Sequence, residues 1–278
     1  QINGYDVTIL DSALFKNRSE LYRVKLPSAL TEIGSEAFYN CISLSKVELS
    51  NVIETIGNSA FKNTNLGSID LPESLLSIGD NSFENTKITE AYIPKNVNKI
   101  GYYAFAGCNN INKISVDNDN STYDSRNNSN TIIETDTNTL IKGNYISDIP
   151  ATVKVIGEGS FYNDSRITEI SIPDSVEKID YSAFKYDENL VASSLEKVII
   201  PSSVKEIKSA FNANDKNIII YTYSNAYAKT YSTLNKISYK TMDYINVHGS
   251  LLKYKYKAFD TVAENLMVTA NYNVGYYI

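Results

Sequence analysis

The sequence predicts a right-handed, β-rich solenoid of stacked coils with a parallel sheet along its concave face. Three observations predict it. All six prolines (Pro27, Pro72, Pro94, Pro150, Pro173 and Pro201) follow an aliphatic residue and open the same phrase: two aliphatics, usually a glycine, then a phenylalanine. The phenylalanines keep time: Phe15, Phe38 and Phe61 are 23 residues apart, Phe83 and Phe105 follow at 22, and Phe161 to Phe184 is 23 again. The intervening aliphatics keep one pattern, as in Leu44-x-x-Val47-x-Leu49 followed by Ile53-x-x-Ile56-Gly57-x-x-Ala60-Phe61. A period of about 20–29 residues with this pattern marks a repeat array whose coils bury their apolar sides against one another.

Each column of the repeat has a physical reading. Val47-x-Leu49 alternates inward and outward, which suits a short strand. Proline ends that strand because it has no N–H for a sheet ladder. The glycines at 34, 57, 79, 101 and 157 are expected to take positive φ and turn the corner, with Asp180 tolerating that region in one repeat. Lys208 stands there in the last repeat, which is also one residue shorter before Phe211, so distortion is expected. The Ala-Phe pair packs a ring between coils beside a small neighbour. About eight coils with one strand each are expected, and Leu26, Leu49, Leu71, Ile93, Val116, Ile172 and Ile200 should stack as one buried ladder.

On these residues the chain resembles the BspA-like subclass of leucine-rich repeat proteins. Residues 26–41, LPSALTEIGSEAFYNC, follow the repeat unit of that family throughout. The resemblance covers residues 9–237 and implies a leucine-rich repeat solenoid. It also implies a secreted or surface-exposed protein, several relatives of which look like adhesins. Repeat arrays carry unrelated binding activities on one frame, so the resemblance does not name a ligand.

The largest break in the repeat is Asp117–Asn130, polar and rich in turn formers. Ile132-Ile133 and Thr139-Leu140-Ile141 follow it, with Asp136-Thr137-Asn138 between them. This predicts a β-hairpin at about 117–148 that leaves the solenoid and returns at Ile149-Pro150. The alternative is that Tyr123 and Ile133 cap core exposed by the interruption. Asp117-x-Asp119-x-Ser121 resembles the start of an EF-hand loop, but Thr122 stands where that loop needs glycine and Asn128 where it needs glutamate. A solvated loop without metal is expected.

Ile218–Ile220 reads as the last strand of an array spanning residues 1–238. Ser224 and Asn225 are expected to N-cap a helix at about 225–235, with Tyr227, Tyr231 and Leu234 covering the open end of the core. Phe15 and Leu21 read as a partial first coil. Residues 239–278 read as a small β appendage or the truncated start of a further module. There Leu252, Tyr254 and Tyr256 alternate with Lys253, Lys255 and Lys257. The chain opens at Gln1 with no methionine and no signal peptide, which reads as a processed or trimmed fragment.

Composition narrows the function. Net charge is −6 over 278 residues with no basic cluster, which argues against nucleic acid and anionic membrane surfaces. No run of 18 apolar residues predicts membrane insertion. Cys41 and Cys108 share a column three residues after Phe38 and Phe105, three coils apart; at roughly 5 Å per coil they are beyond disulfide reach. They read as buried thiols that hydrogen-bond the turn. The single histidine, His248, has no partner for a metal. No phosphate-cradling loop and no Cys-x-x-Cys motif is present. No catalytic residues and no cofactor are expected, and the chain reads as a non-enzyme.

An extracellular, adhesin-like binding module and a structural spacer presenting a neighbouring module both fit, as does an intracellular protein-interaction array. Any binding surface is expected on the outward strand positions: Arg23, Lys25, Lys46, Glu48, Asp70, Glu90, Tyr92, Lys113, Glu169 and Lys197, with Ser68, Ser115, Ser171 and Ile199 among them. Stacked in register, these form one open, mixed-charge face. Tyr92, near its centre between Asp70, Glu90 and Lys113, suits a protein partner such as a host matrix or surface protein, or a glycan.

Overall fold

The computed structural model describes residues 5–187, 189, 194–213, 215–224, 226–245 and 266–268. In it the chain winds as a leucine-rich repeat β-solenoid of about ten turns with mostly parallel strands. Most coils contribute two strands where one was expected. The anticipated three- and four-residue strands include Arg23–Lys25, Lys46–Glu48, Glu90–Ile93 and Lys113–Val116. A second ladder forms at the aliphatic residue before each corner. Ile9–Leu10, Glu32–Ile33, Thr55–Ile56, Ser77–Ile78 and Lys99–Ile100 pair in parallel along it. It resumes with Thr139–Lys142, Val155–Ile156, Lys178–Ile179 and Glu206–Ile207.

Proline does more than stop a strand. The Pro27, Pro72, Pro94, Pro150, Pro173 and Pro201 carbonyls each accept the N–H three residues on, from Leu30, Leu75, Val97, Val153, Val176 and Val204. Each of those aliphatics is buried. The turn therefore swings the chain from the first ladder to the second while delivering a core residue. In the inward column, Leu26, Ile93, Val116, Ile172 and Ile200 are buried, and Leu49 and Leu71 are half-buried.

The phenylalanines form a ring column. Phe15, Phe38, Phe61, Phe83 and Phe105 stack at centroid spacings of 5.3–5.5 Å and within 9° of parallel. Phe161, Phe184 and Phe211 continue it at 5.2 Å. Phe211 keeps its place despite the shortened repeat, so the expected distortion spares the column. Asn40, Asn63, Asn85 and Asn163, two residues after the ring, hold φ between 57° and 60°. Asparagine is enriched in this region because its side chain bonds locally. Here Asn63 Nδ2 donates to Asn40 Oδ1 at 2.9 Å and Asn85 Nδ2 to Asn63 Oδ1 at 3.1 Å, tying coil to coil.

The corner glycines have a different reason from the one expected. None of Gly34, Gly57, Gly79, Gly101 and Gly157 has positive φ. A Cβ on Gly57 instead falls 2.6 Å from Ser35 N, and one on Gly101 falls 2.4 Å from Asp80 N. The second ladder brings consecutive backbones too close for a side chain. The positive φ lies two residues before every ring except Phe211, at Ala13, Glu36, Ser59, Asn81, Tyr103, Gly159 and Ser182. Asp180 does not sit in that region either; it accepts ion pairs from Lys178 at 2.8 Å and Lys208 at 3.1 Å, so the two residues replacing glycine pair with each other.

The insertion forms its hairpin but does not leave the solenoid. Ile132–Glu134 pairs antiparallel with both Tyr123–Asp124 and Thr139–Lys142. Thr139–Lys142 then pairs in parallel with Val155–Ile156 and so starts the second half of the corner ladder. Tyr123, Ile132, Ile133 and Leu140 are all buried. Apolar side chains on both faces of a strand must be covered on both sides, and only the core of the array does that.

At the C-terminal end the helix spans Tyr227–Asn235. Its N-cap is Ala226, with no side-chain bond, and Ser224 is exposed. Of the expected apolar face, only Tyr231 is buried, extending the ring column at 6.2 Å from Phe211; Tyr227 and Leu234 are exposed. Ala228 and Ser232 complete the buried side of the helix. The parallel ladder runs on past the helix: Ile219–Tyr223 pairs with Ser238–Ile245, and its end pairs with Leu266–Val268. Residue 238 thus falls inside a continuous ladder. The lysine-alternating stretch around Lys253–Lys257 and His248 lie outside the described residues.

Candidate binding surface

The outward strand residues do not make one sheet. Gly67-Ser68-Ile69-Asp70 forms no strand, because glycine, serine and aspartate are poor strand formers, and the ladder stops on either side of it. A cleft of about 610 Å3 opens there between Lys46–Asn51 and Ser68–Glu73. The insertion breaks the ladder a second time, after Val116. Three patches result.

The first patch carries Arg23, Lys25, Lys46 and Glu48. Glu48 accepts from Arg23 at 3.2 Å and lies 3.9 Å from Lys25. Asp70 stands exposed on the unpaired segment beside it. The second patch carries Glu90, Tyr92 and Lys113, in register across one strand pair, with Lys113 bonded to Glu90. Tyr92 is 37% exposed, and its hydroxyl donates to Asp117 Oδ2 at 2.6 Å. That bond, more than burial, pushes the Tyr92 phenol up to about 12 and holds the Asp117 carboxyl below its ordinary value. Asp117 Oδ1 accepts the Asp119 N–H at 2.9 Å. Both carboxylate oxygens of Asp117, the first residue of the EF-hand reading, are thus engaged, one by the Tyr92 hydroxyl and one by the loop backbone.

The third patch joins Glu169 and Lys197, 2.9 Å apart in register, to a ring sequence reasoning missed. Tyr221 lies between two ammonium groups, Lys197 Nζ at 5.3 Å and Lys240 Nζ at 5.5 Å from its centroid. The strand order makes this contact, since Ile199 pairs with Tyr221 and Tyr221 with Lys240. The signal was present as outward alternation from Ile219 to Tyr223; reading Ile218–Ile220 as the whole last strand left Tyr221 out. These exposed ion pairs hold side chains in place and contribute only tenths of a kcal/mol each, roughly, to stability.

Cys41 and Cys108 are free and buried. Their thiols donate to the Phe15 and Phe83 carbonyls of the preceding coil at 2.9 Å each, in the column where the Thr64 hydroxyl instead donates to the Phe61 carbonyl of its own coil at 2.8 Å. Burial pushes both thiols up, away from nucleophilic character. Among the described residues no group of three or more His, Cys, Asp or Glu side chains is placed to hold a metal ion. No helix among them is long and apolar enough to cross a membrane.

A family model for the BspA type leucine rich repeat region matches residues 5–135 and 143–265, in six copies. The chain belongs to the BspA-type leucine-rich repeat family. Solved structures agree on the fold. A leucine-rich repeat protein from Eubacterium ventriosum is 22% identical with a TM-score of 0.66, over 79% of this chain and 58% of that one. One from Bacteroides ovatus is also 22% identical, with a TM-score of 0.51 over 88% of this chain and 58% of that one. A leucine rich cell surface protein from Faecalibacterium prausnitzii is 21% identical over 84% of this chain and 86% of that one, but superposes with a TM-score of only 0.32. The BspA-type chain described here spans little more than half the length of the first two proteins. No protein of curated function matches it. Solenoids of this family are typically binding scaffolds rather than enzymes, and family membership makes a protein-interaction module the general reading.

Proposed function

We propose that this chain is an extracellular, adhesin-like binding module that engages a protein on a host matrix or cell surface through its outward strand residues. The observation that carries the reading is the setting of Tyr92. A large, amphipathic ring stands exposed on a hydrogen-bonded strand pair, and its hydroxyl is already fixed by Asp117. An aromatic anchor held in place before binding loses little freedom on contact, which is the character of an interface hot spot. Glu90 and Lys113 flank it with paired, mixed charge that a polar interface rim can use. Tyr221 with Lys197 and Lys240 offers a second anchor of the same kind on the third patch.

The test is binding of the chain to a panel of matrix proteins and glycans, with Tyr92→Ala, Lys113→Glu and Tyr221→Ala as probes. Tyr92→Ala is expected to weaken protein binding by about tenfold or more, corresponding to a hot spot above ~1.4 kcal/mol. Binding that survives all three substitutions unchanged removes the strand face as the site. Failure to bind any member of the panel favours the spacer.

A further inference from the structure

The insertion drives a wedge between two coils. Beyond the rings they still touch: the Gly107 N–H donates to Tyr162 O at 3.1 Å, and Arg166 Nη2 donates to Ile111 O at 3.0 Å. At the corner they part. Thr139–Lys142 takes the place beside Val155–Ile156 that Lys99–Ile100 would hold in an unbroken ladder. The angle between the coils holds a cavity of about 560 Å3, walled by Ile100, Tyr103 and Phe105 on one side and Gly157 and Glu158 on the other. Backbone bonding lapses across it. Ser59, Phe61, Asn81 and Phe83 each donate an N–H to the next coil. Among the described residues the Tyr103 and Phe105 N–H groups have no partner, and the Ser160 carbonyl accepts from Gly143 instead, at 3.2 Å. The ring column lapses too, because Phe105 stacks on Phe83 and Phe161 on Phe184, but not on each other.

One side chain spans the wedge. Tyr103 stands two residues before Phe105, in a column otherwise filled by Ala13, Glu36, Ser59, Asn81, Gly159 and Ser182. Tyr103 is the aromatic of that column, and Gly159, in the facing coil, is its glycine. The two fit each other. A Cβ on Gly159 would fall 2.5 Å from Tyr103 Cε1, so the ring lies against a backbone that only glycine leaves clear. The Tyr103 hydroxyl donates to Glu158 Oε1 at 3.1 Å, and its ring meets that of Tyr162 edge-on at 5.3 Å. Side-chain contacts here replace the backbone bonds that join the other coils.

We propose that Tyr103 is a clasp that sets the angle between the two halves of the solenoid, and that its release lets the halves swing about the Gly107–Tyr162 and Ile111–Arg166 contacts. A hinge needs a side that stays joined and a side held by a few separable contacts. Gly107, Ile111, Tyr162 and Arg166 make the first, and Tyr103 makes the second. The cores on either side are built from different residues, so the swing parts neither. It does move the outward anchors, since Tyr92 stands on the first half and Tyr221 on the second. A partner that touches both reads the angle. The clasp itself does not rest on that face binding anything.

The experiment places nitroxide labels at Asn51→Cys and Ser202→Cys, both exposed and on opposite sides of the wedge, and reads their distance distribution by double electron–electron resonance. Cys41 and Cys108 are buried and stay unlabelled. The parent protein is expected to give a narrow distribution. Tyr103→Ala, and Gly159→Ala, which expels the ring, should both broaden it and move its centre by about one strand spacing, roughly 5 Å. Tyr103→Phe keeps the ring but loses the bond to Glu158, and should fall between. Tyr102→Ala, at an exposed neighbour, should leave the distribution as it was. Circular dichroism melts establish that each variant is folded; if Tyr103→Ala is not, Gly159→Ala and Tyr103→Phe decide. A distribution that stays narrow and unmoved in the folded clasp variants overturns the proposal. So does a parent distribution already as broad as theirs.

Discussion

Ile132 and Ile133 are consecutive in the chain and belong to different cores. Ile132 is buried in the cluster built from residues 10–132, and Ile133 in the cluster built from residues 133–237. The strand Ile132–Glu134 is a partition whose two faces seal the two halves of the solenoid. Tyr123 belongs to the same seal: its hydroxyl accepts the Ile100 N–H at 2.9 Å, where the first corner ladder ends. Ile132→Ala and Ile133→Ala should each cost about 2–5 kcal/mol. Deleting residues 117–148 should expose both cores and abolish a single cooperative transition. Urea unfolding followed by circular dichroism checks this, and a deletion that unfolds as sharply as wild type removes the partition role.

The ring column makes burial position-dependent. Phe61 is fully buried between Phe38 and Phe83, at 5.4 and 5.5 Å, whereas Phe15 is half-buried at the end of the column. Phe61→Ala should cost about 3–5 kcal/mol through the cavity left between coils that cannot close up. Phe15→Ala should cost clearly less, since one face of its ring already meets solvent. Equal midpoint shifts in chemical denaturation would contradict the column as the source of the cost.

Two glycines of one coil should respond oppositely to the same methyl group. A Cβ on Gly79 meets Asn58 N and Oδ1 at 2.6 Å and Gly57 C at 2.7 Å. Backbone cannot yield there without parting the coils, so Gly79→Ala should cost about 1–3 kcal/mol. A Cβ on Gly67 meets nothing within 4 Å. Gly67→Ala should be neutral or stabilise by up to about 1 kcal/mol, because it restricts the unfolded chain. Thermal melts of the two variants against wild type decide it.

The repeat, the ring column and the buried thiols were legible because each depends on the spacing of side chains along one coil. What escaped depends on one coil meeting another. The corner glycines announce a special backbone requirement, but only the stacked structure shows that it is the approach of Leu10 O or Asp80 N rather than positive φ. The asparagines that do hold positive φ form a column two residues after five of the eight rings, visible once the rings are aligned. Periodicity said that Ile132-Ile133 starts a strand; that both its faces are core follows from where the hairpin docks. The outward residues were identified individually, yet their division into three patches turns on weak strand propensity at Gly67–Asp70, a local departure within an intact repeat.

The Tyr92–Asp117 bond ties the insertion loop to the second patch and predicts its pH response. Tyr92 is raised to about 12 from the ordinary 10.0, so the folded chain holds the phenol proton more tightly than the unfolded one. The stability this supplies is complete below pH 10 and is lost as pH rises from 10 to about 12. Asp117 is lowered from 3.8, so its share is present above that value and is lost as pH falls through the depressed one. Between these limits the contribution is flat, and solvent exposure keeps it small. Tyr103, also raised to about 12, owes its shift first to burial. In 13C-tyrosine NMR, Asp117→Asn should therefore bring the Tyr92 titration down toward 10 and leave that of Tyr103 late. The same substitution should free the Tyr92 ring and weaken protein binding even where its area is unchanged. A Tyr92 resonance that titrates late regardless of Asp117 would show that the ring is not held by this bond, and the pre-set anchor on which the binding reading rests would go with it.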